Sequence, residues 1–105
     1  MAGFAEVHVE FLPTDQGGRR TPICLSENVA TPYMPHLRVI GGDGTYLGVE
    51  FVDGPDDPIP PGGRTYATVR FMNEPQISYD ALQVGATFDI CEGGRVVGSG
   101  RVTRL

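Results

Sequence analysis

Lysine, tryptophan and long hydrophobic runs are absent from this chain. All eight cationic residues among its 105 are arginines. Base composition of the genome explains that bias, or else selection for the bidentate contacts of a guanidinium. No apolar segment approaches the roughly 20 residues that a membrane-spanning helix needs. The N-terminus has neither the basic nor the apolar region of a secretory signal. These absences predict a cytoplasmic protein without a membrane partner.

Cysteine is also scarce, since the chain contains only Cys24 and Cys91. Two cysteines without a secretory signal do not indicate a disulfide framework, so we expect both thiols to be reduced.

Positive charge is in deficit: the formal net charge is −5 and the sequence pI is about 4.8. Unaided binding to nucleic acid needs a basic patch that displaces counterions from the phosphate backbone. We therefore expect no DNA partner, although a local basic face remains compatible with this balance.

Glycine and proline are abundant, with 15 and nine residues respectively. That content favours many turns over helices and is typical of an all-β chain. A length of 105 residues predicts a single domain over residues 1–105 with a modest core.

Alternation of apolar and polar residues predicts several strands, and a short apolar run before a glycine-rich turn predicts another. In the first, Val7, Val9 and Phe11 should face the core, while in the last, Gly98 and Gly100 indicate a bulge or a close backbone approach. The six predicted strands cover residues 4–12, 37–40, 45–52, 65–72, 86–91 and 95–105.

Three segments between the strands are predicted to be irregular. Residues 21–35 contain Pro22, Pro32 and Pro35, which interrupt hydrogen-bond ladders. Residues 53–63 are polar and rich in proline, which predicts an ordered or partly mobile loop. Residues 73–84 are expected to include a single helical turn around residues 79–82.

A Gly-Gly-Arg loop lies near each end of the chain, at residues 16–22 and 92–100. Paired glycines supply the positive φ angles that tight turns between strands require. Together with three other short segments, these loops occur in the same order and at similar spacing in one known protein family. In chain order the five segments are Ala5-Glu6-Val7-His8-Val9, Gly17-Gly18-Arg19-Arg20-Thr21-Pro22, Tyr33-Met34-Pro35-His36-Leu37, Pro61-Gly62-Gly63 and Glu92-Gly93-Gly94-Arg95-Val96-Val97-Gly98-Ser99-Gly100.

With these landmarks, the chain resembles the C-terminal (third) domain of elongation factor Tu and related translational GTPases. The resemblance implies a closed, six-stranded antiparallel Greek-key barrel. It also implies a domain that is not catalytic, that packs against the GTPase domain and the middle barrel, and that touches the T-stem backbone of aminoacyl-tRNA and the exchange factor.

The chain also departs from that family. It has no Gly-x-x-x-x-Gly-Lys-Ser/Thr phosphate loop, so it is not expected to be a GTPase or another enzyme. Arg19 and Arg20 stand where the family has Arg-His, and Glu92 and Gly93 are retained. His36 replaces a glutamine. Glu74 occupies a position that is basic or histidine in the family, and a carboxylate there would oppose contact with phosphate.

The candidate binding residues each have a structural alternative. Arg19 and Arg20 either bind phosphate or a carboxylate-rich partner, or form a solvated turn. For Arg95 we favour a structural role, with its stem on the barrel and its head paired to a carboxylate such as Glu92 or Asp89. Tyr33 and Tyr79 lie in irregular segments, so they are predicted to be exposed anchors.

Metal binding is the weakest alternative, and no cofactor is expected. Cys24, Cys91, His8 and His36 could supply a Cys₂His₂ set, but they lack the short ligand spacing of structural zinc sites. The acidic loop with Asp53, Asp56 and Asp57 does not follow a calcium-binding pattern; it fits a solvated loop or one that presents negative charge to a basic partner.

Three functions follow from these observations. The first is a non-enzymatic interaction module that binds a protein partner, such as a translation factor or another regulator. Its contacts would lie in residues 17–20 and 92–95 and on the barrel side at residues 33–37. The second is a module that binds the tRNA backbone, and the third is a small metal- or ligand-binding barrel.

Overall fold

The computed structural model describes residues 3–27 and 29–105, and it confirms the predicted all-β fold. Six antiparallel strands form a closed barrel. A three-residue 3₁₀ helix at Thr14–Gln16 is the one helical segment among the described residues. The strands are β1 (Phe4–Phe11), β2 (His36–Val39), β3 (Leu47–Asp53), β4 (Arg64–Phe71), β5 (Thr87–Glu92) and β6 (Arg95–Arg104).

The order of the strands around the barrel is β1-β4-β3-β2-β5-β6, and β6 pairs with β1 to close the ring. Strands β2, β3 and β4 are sequential neighbours, whereas the long connection from β1 to β2 places β1 beside β4. This arrangement is a Greek key, as predicted. Every strand therefore has two hydrogen-bonded neighbours, and no sheet edge is left unpaired by the six strands.

The core fills the inside of the barrel through the period-2 alternation of its strands. In β1, Val7, Val9 and Phe11 are buried, whereas Glu6 and Glu10 are exposed. The same alternation buries Ala67, Val69 and Phe71 in β4, and Phe88 and Ile90 in β5. These inward faces agree with the sequence-based assignment.

Two glycines in β6 allow β1 and β6 to close the barrel. A Cβ atom added at Gly98 would lie 2.6 Å from the carbonyl oxygen of Glu10. One added at Gly100 would lie 2.6 Å from both the His8 carbonyl oxygen and Cζ of Phe88. Because real Cβ atoms do not approach so closely, only glycine fits, and the prediction of a close backbone approach is confirmed. The register of β5 against β6 also shifts between Ile90 and Cys91.

The connection from β1 to β2 is more ordered than its prolines suggest. The carbonyl oxygen of Tyr33 accepts a hydrogen bond from Phe51 N at 2.9 Å, and that of Pro35 accepts one from Val49 N at 3.1 Å. Tyr33, Pro35 and Leu37 are buried, while Met34 and His36 are exposed. The alternation of β2 therefore extends back to Tyr33. Residues 33–35 pair with β3 through these hydrogen bonds and do not form the irregular loop that was predicted for them.

The acidic loop between β3 and β4 is fastened to the same connection. Ile23 and Ile59 exchange two backbone hydrogen bonds, at 3.0 and 2.8 Å. Ser26 Oγ also donates to the Asp56 carboxylate at 2.9 Å. The loop is thus an ordered one.

Residues 79–82 form a hydrogen-bonded turn, in which Leu82 N donates to the Tyr79 carbonyl oxygen at 2.9 Å. The turn does not continue into a helix, which corrects the helical assignment. Within residues 3–27 and 29–105, no helix is long and apolar enough to cross a bilayer.

Candidate functional site

The two Gly-Gly-Arg loops meet at one end of the barrel. Arg95, the first residue of β6, donates from Nε and Nη2 to the carbonyl oxygen of Gly17, at 3.1 and 2.9 Å. Nη2 also donates to the Gly18 carbonyl oxygen at 2.5 Å. We call residues 17–20 and 92–95, together with Tyr33, the loop-pair surface.

The shape of the first loop follows from its glycines. Gly17 ends the 3₁₀ helix with a φ of 91°, which is the left-handed region that glycine enters without strain. Gly18 is buried, and a Cβ there would lie 1.9 Å from the carbonyl oxygen of Leu12. Both positions turn the chain back, so that the Gly17 and Gly18 carbonyl groups point at Arg95.

A second link joins the loops through the side chains of Arg19, Glu92 and Tyr33. Arg19 Nη1 forms a close ion pair with Glu92 Oε2. The Tyr33 hydroxyl donates to the same oxygen at 2.6 Å. The Arg19 guanidinium also lies over the Tyr33 ring, 5.6 Å from its centroid, in a cation–π geometry.

Burial keeps the Tyr33 hydroxyl protonated. Tyr33 is 8% exposed and packs against Phe11 and Phe51, with ring centroids 6.2 and 5.5 Å away. Desolvation, and then the adjacent Glu92 carboxylate, raise the pKa of Tyr33 far above its usual range. The hydroxyl therefore remains a proton donor to Glu92 at any physiological pH.

Two predictions about these side chains are wrong. Tyr33 and Tyr79 are not exposed anchors, because both are buried. The Tyr79 hydroxyl donates to the Gly48 carbonyl oxygen at 2.6 Å, and its ring stacks on Phe71 with a centroid distance of 4.6 Å. Arg95 does have a structural contact, but its head binds two carbonyl groups instead of a carboxylate.

Five members of the loop-pair surface are exposed, namely Gly17, Arg20, Gly93, Gly94 and Arg95. Arg20 is exposed, and its guanidinium makes no ion pair with the residues that the structure describes. Gly93 and Gly94 form the exposed two-residue turn between β5 and β6. A Cβ at Gly94 would meet nothing within 4 Å, and Gly94 does not have a positive φ.

His36 lies apart from this network, on the side of the barrel. It is exposed on β2, and its ring centroid is 6.1 Å from that of Tyr46. Met34, Met72 and Asn73 surround the same shallow depression, of about 190 Å³. The structure thus brings Arg19, Tyr33 and Glu92 into direct contact, and it joins Arg95 to the carbonyl groups of the loop that carries Arg19. His36 lies outside this set, on strand β2.

The positions of the side chains give no support to the metal-binding alternative. Among residues 3–27 and 29–105, no three His, Cys, Asp or Glu side chains converge on a common point. His36 and Cys91 are cross-strand neighbours, but Cys91 is buried in the core, where desolvation raises the pKa of its thiol. Cys24 instead lies beside Asp56, whose carbonyl oxygen is 3.5 Å from its Sγ.

Glu74 has a structural contact. Its Oε1 atom accepts a hydrogen bond of 2.7 Å from the backbone nitrogen of Gly3, which attaches the start of the chain to the end of β4.

No known protein-family model matches this chain. The loop-pair surface itself combines two fixed backbone turns with the guanidinium of Arg20, which forms no ion pair among the described residues, and the carboxylate of Glu92. Glu92 Oε1 accepts no hydrogen bond from the described residues. Such a surface can recognise a partner that offers both an acceptor and a donor.

Sequence reasoning missed the role of Tyr33 because Pro32 and Pro35 suggested an irregular segment. Proline lacks a donor, but its carbonyl group still accepts hydrogen bonds. The apolar alternation at Tyr33, Pro35 and Leu37 was the signal that could have placed Tyr33 in the core.

Proposed function

We propose that this chain is a non-enzymatic interaction module that resembles the third domain of elongation factor Tu. It binds a protein partner of the translation machinery through the loop-pair surface. The observation that carries the proposal is the double link between the two loops, through Arg95 and through Arg19, Glu92 and Tyr33.

Preorganisation is the physical reason that this link favours binding. A mobile loop loses conformational entropy when a partner orders it, and that loss reduces affinity. Here Arg95 already fixes the backbone at Gly17 and Gly18, and Arg19 already fixes Glu92. The surface therefore meets a partner with little further ordering.

The exposed groups define the chemistry of the partner. Arg20 offers a guanidinium that pairs bidentately with a carboxylate, the anionic group that acidic side chains of a protein partner provide. Glu92 Oε1 offers an acceptor for an amide or a cationic group. The Gly93–Gly94 turn has no side chains and so permits close approach of a partner's backbone. We expect a polar protein segment that carries both an acidic and a donating residue.

Binding to the tRNA backbone is the weaker alternative. Arg19, one of the two arginines expected to contact phosphate, is engaged by Glu92 and Tyr33. Arg20 alone, in a chain with net charge −5, offers little counterion release.

Capture from a lysate of the source cell tests the proposal. The full chain is immobilised and washed in a salt gradient, and the bound proteins and RNA are identified. Gly94→Gln adds a side chain that the fold accommodates but that a docked partner would meet, and Arg20→Gln removes the exposed charge. We expect both variants to lose a translation protein that the unaltered chain retains.

Arg104→Gln is the matched control, because it removes one exposed charge from the far end of β6. Equal retention of the same protein by all three variants would contradict the proposal. Recovery of tRNA alone, sensitive to salt and to Arg20→Gln, would replace it with the RNA-binding alternative.

A further inference from the structure

The arginines of this protein are almost all engaged within it. Arg95 binds two carbonyl groups, as described above. Among residues 3–27 and 29–105, only Arg20 and Arg101 make neither an ion pair nor a hydrogen bond through the guanidinium. The five carboxylate pairs are Arg19–Glu92, Arg38–Asp89, Arg64–Glu10, Arg70–Glu50 and Arg104–Glu6.

Arg101 projects from the outer face of β6, in a row of side chains that crosses four strands. It lies opposite His8 on β1 and opposite Thr87 on β5. His8 in turn lies opposite Tyr66 on β4, and the two rings pack edge to face at 4.8 Å. The outer surface thus places a guanidinium between an imidazole and a hydroxyl group.

This row borders a groove of about 340 Å³. Ser99, whose small side chain faces outward, leaves the floor of the groove low. The side chain of Ile40, which is 58% exposed, forms an apolar wall of the groove. A hydrogen bond of 2.9 Å from the backbone nitrogen of Ile40 to the Thr87 carbonyl oxygen holds that residue beside β5. The groove therefore combines hydrogen-bond donors with an adjoining apolar contact.

The charge in the groove favours a monovalent anion. Glu10 also borders it, but Arg64 lies 3.7 Å from that carboxylate and offsets its charge. Among the described residues that line the groove, Arg101 is the one arginine, and no carboxylate of the described chain forms an ion pair with it. One guanidinium offsets one negative charge, so a second charge on a bound group would stay uncompensated. A planar guanidinium also matches a carboxylate bidentately.

We propose that this groove binds an acidic peptide segment of a partner protein. A carboxylate of the segment pairs with Arg101 and accepts hydrogen bonds from His8 or Thr87, and a neighbouring apolar side chain packs on Ile40. The groove is separate from the loop-pair surface, since Arg101 lies six residues beyond Arg95 on β6, roughly 20 Å at the usual rise of a strand. Neither site requires the other.

Amide chemical-shift titration of the full chain tests this assignment. The probe is acetyl-Ala-Glu-Leu-Ala-amide, and its neutral match has Gln in place of Glu. We expect the Glu peptide to shift the amides of His8, Ile40, Thr87, Ser99 and Arg101. We expect affinity to fall about tenfold or more with the Gln peptide, and likewise with Arg101→Gln, because each removes the charge-assisted pair.

Arg104→Gln is again the matched control, since it removes the same charge from the same strand outside the groove. Ile40→Ser tests the apolar contact and should weaken the Leu peptide several-fold, but not a peptide with Ala in place of Leu. Equal weakening by Arg101→Gln and Arg104→Gln would overturn the proposal, as would shifts confined to other surfaces or no shifts at millimolar peptide.

A third peptide, with phosphoserine in place of Glu, distinguishes the two sources of negative charge. Binding of both anionic peptides through Arg101 supports the carboxylate assignment. Binding of the phosphopeptide alone overturns it.

Discussion

At the residue scale, the Tyr33 hydroxyl connects the barrel core to the loop-pair surface. Tyr33→Phe keeps the ring on Phe51 but removes the donor to Glu92. Hydrogen bonds to charged groups contribute roughly 1.5–3 kcal/mol, and Glu92 regains part of that from water and Arg19. We expect the free energy of unfolding in urea to fall by about 1 kcal/mol.

Tyr66→Phe is the control for this substitution, because Tyr66 is 67% exposed on the barrel side. Its effect should stay within about 0.5 kcal/mol, as for most surface changes. Equal effects of the two substitutions would show that the Tyr33 hydroxyl adds nothing to stability.

The contact of Arg95 with the first loop can also be tested by a single substitution. The planar fork of Arg95 reaches the carbonyl groups of Gly17 and Gly18 together, which a lysine ammonium cannot reproduce. Arg95→Lys should therefore loosen residues 17–20 at a cost of about 0.5–1 kcal/mol. Hydrogen exchange at the amides of residues 16–20 should accelerate, while exchange in β3 stays unchanged. Arg20→Lys provides the comparison, and a similar acceleration in both would exclude a special role for Arg95.

At the element scale, the barrel closes where β1 meets β6, and Gly100 makes that contact possible. Gly100→Ala would force a methyl group against the His8 carbonyl oxygen and the Phe88 ring. Overpacking of a tight interior typically costs about 1–3 kcal/mol. We expect a loss of at least about 2 kcal/mol in urea unfolding, because backbone as well as side-chain atoms obstruct the methyl group.

Ser99→Ala tests the adjoining outward position and should change stability by less than about 0.5 kcal/mol. A Gly100→Ala barrel as stable as Ser99→Ala would mean that β1 and β6 can separate without cost, contrary to the close approach of their backbones.

The elements also show what local sequence patterns can specify. Local patterns located all six strands to within a few residues. Alternation marked β1, β4 and β5, which have one face in the core and the other toward solvent, whereas β2 was predicted from a short apolar run. Side-chain partners such as Arg19–Glu92 or Arg95–Gly17 are separated by more than 70 residues, so no local pattern encodes them. They depend on the closure of the barrel, which brings β1 and the β5–β6 turn together.

At the scale of the whole molecule, closure leaves side chains and loops, not strand edges, as the means of recognition. The loop-pair surface and the groove at Arg101 differ in what they offer a partner. The first is a pair of fixed turns that carries the Arg19–Glu92 ion pair and the exposed Arg20, whereas the second is an open sheet face that carries Arg101 beside the apolar Ile40. Two independent contacts on one barrel are compatible with a module that joins two segments of a partner.

The stability of the whole barrel should depend on alkaline pH through Tyr33. Burial raises the pKa of Tyr33 in the folded chain, whereas in the unfolded chain it returns to 10.0. Above that pH the unfolded chain loses a proton that the folded chain retains, so the free energy of unfolding falls by about 1.4 kcal/mol per pH unit. Below pH 10 the contribution of Tyr33 is fully present. The buried Cys91 thiol, whose pKa is also raised, acts in the same direction from its unfolded value of 9.0.

Urea unfolding followed by circular dichroism between pH 8 and 11.5 measures this dependence. Tyr33→Phe should be less stable than the unaltered chain at pH 8, but it should lose stability less steeply above pH 10, so the two curves converge. Tyr66→Phe should retain the original steepness, because its tyrosine is exposed in both states. Parallel curves for Tyr33→Phe and the unaltered chain would mean that the Tyr33 hydroxyl ionises in the folded barrel as readily as in water, which its burial against Phe11, Phe51 and Glu92 opposes.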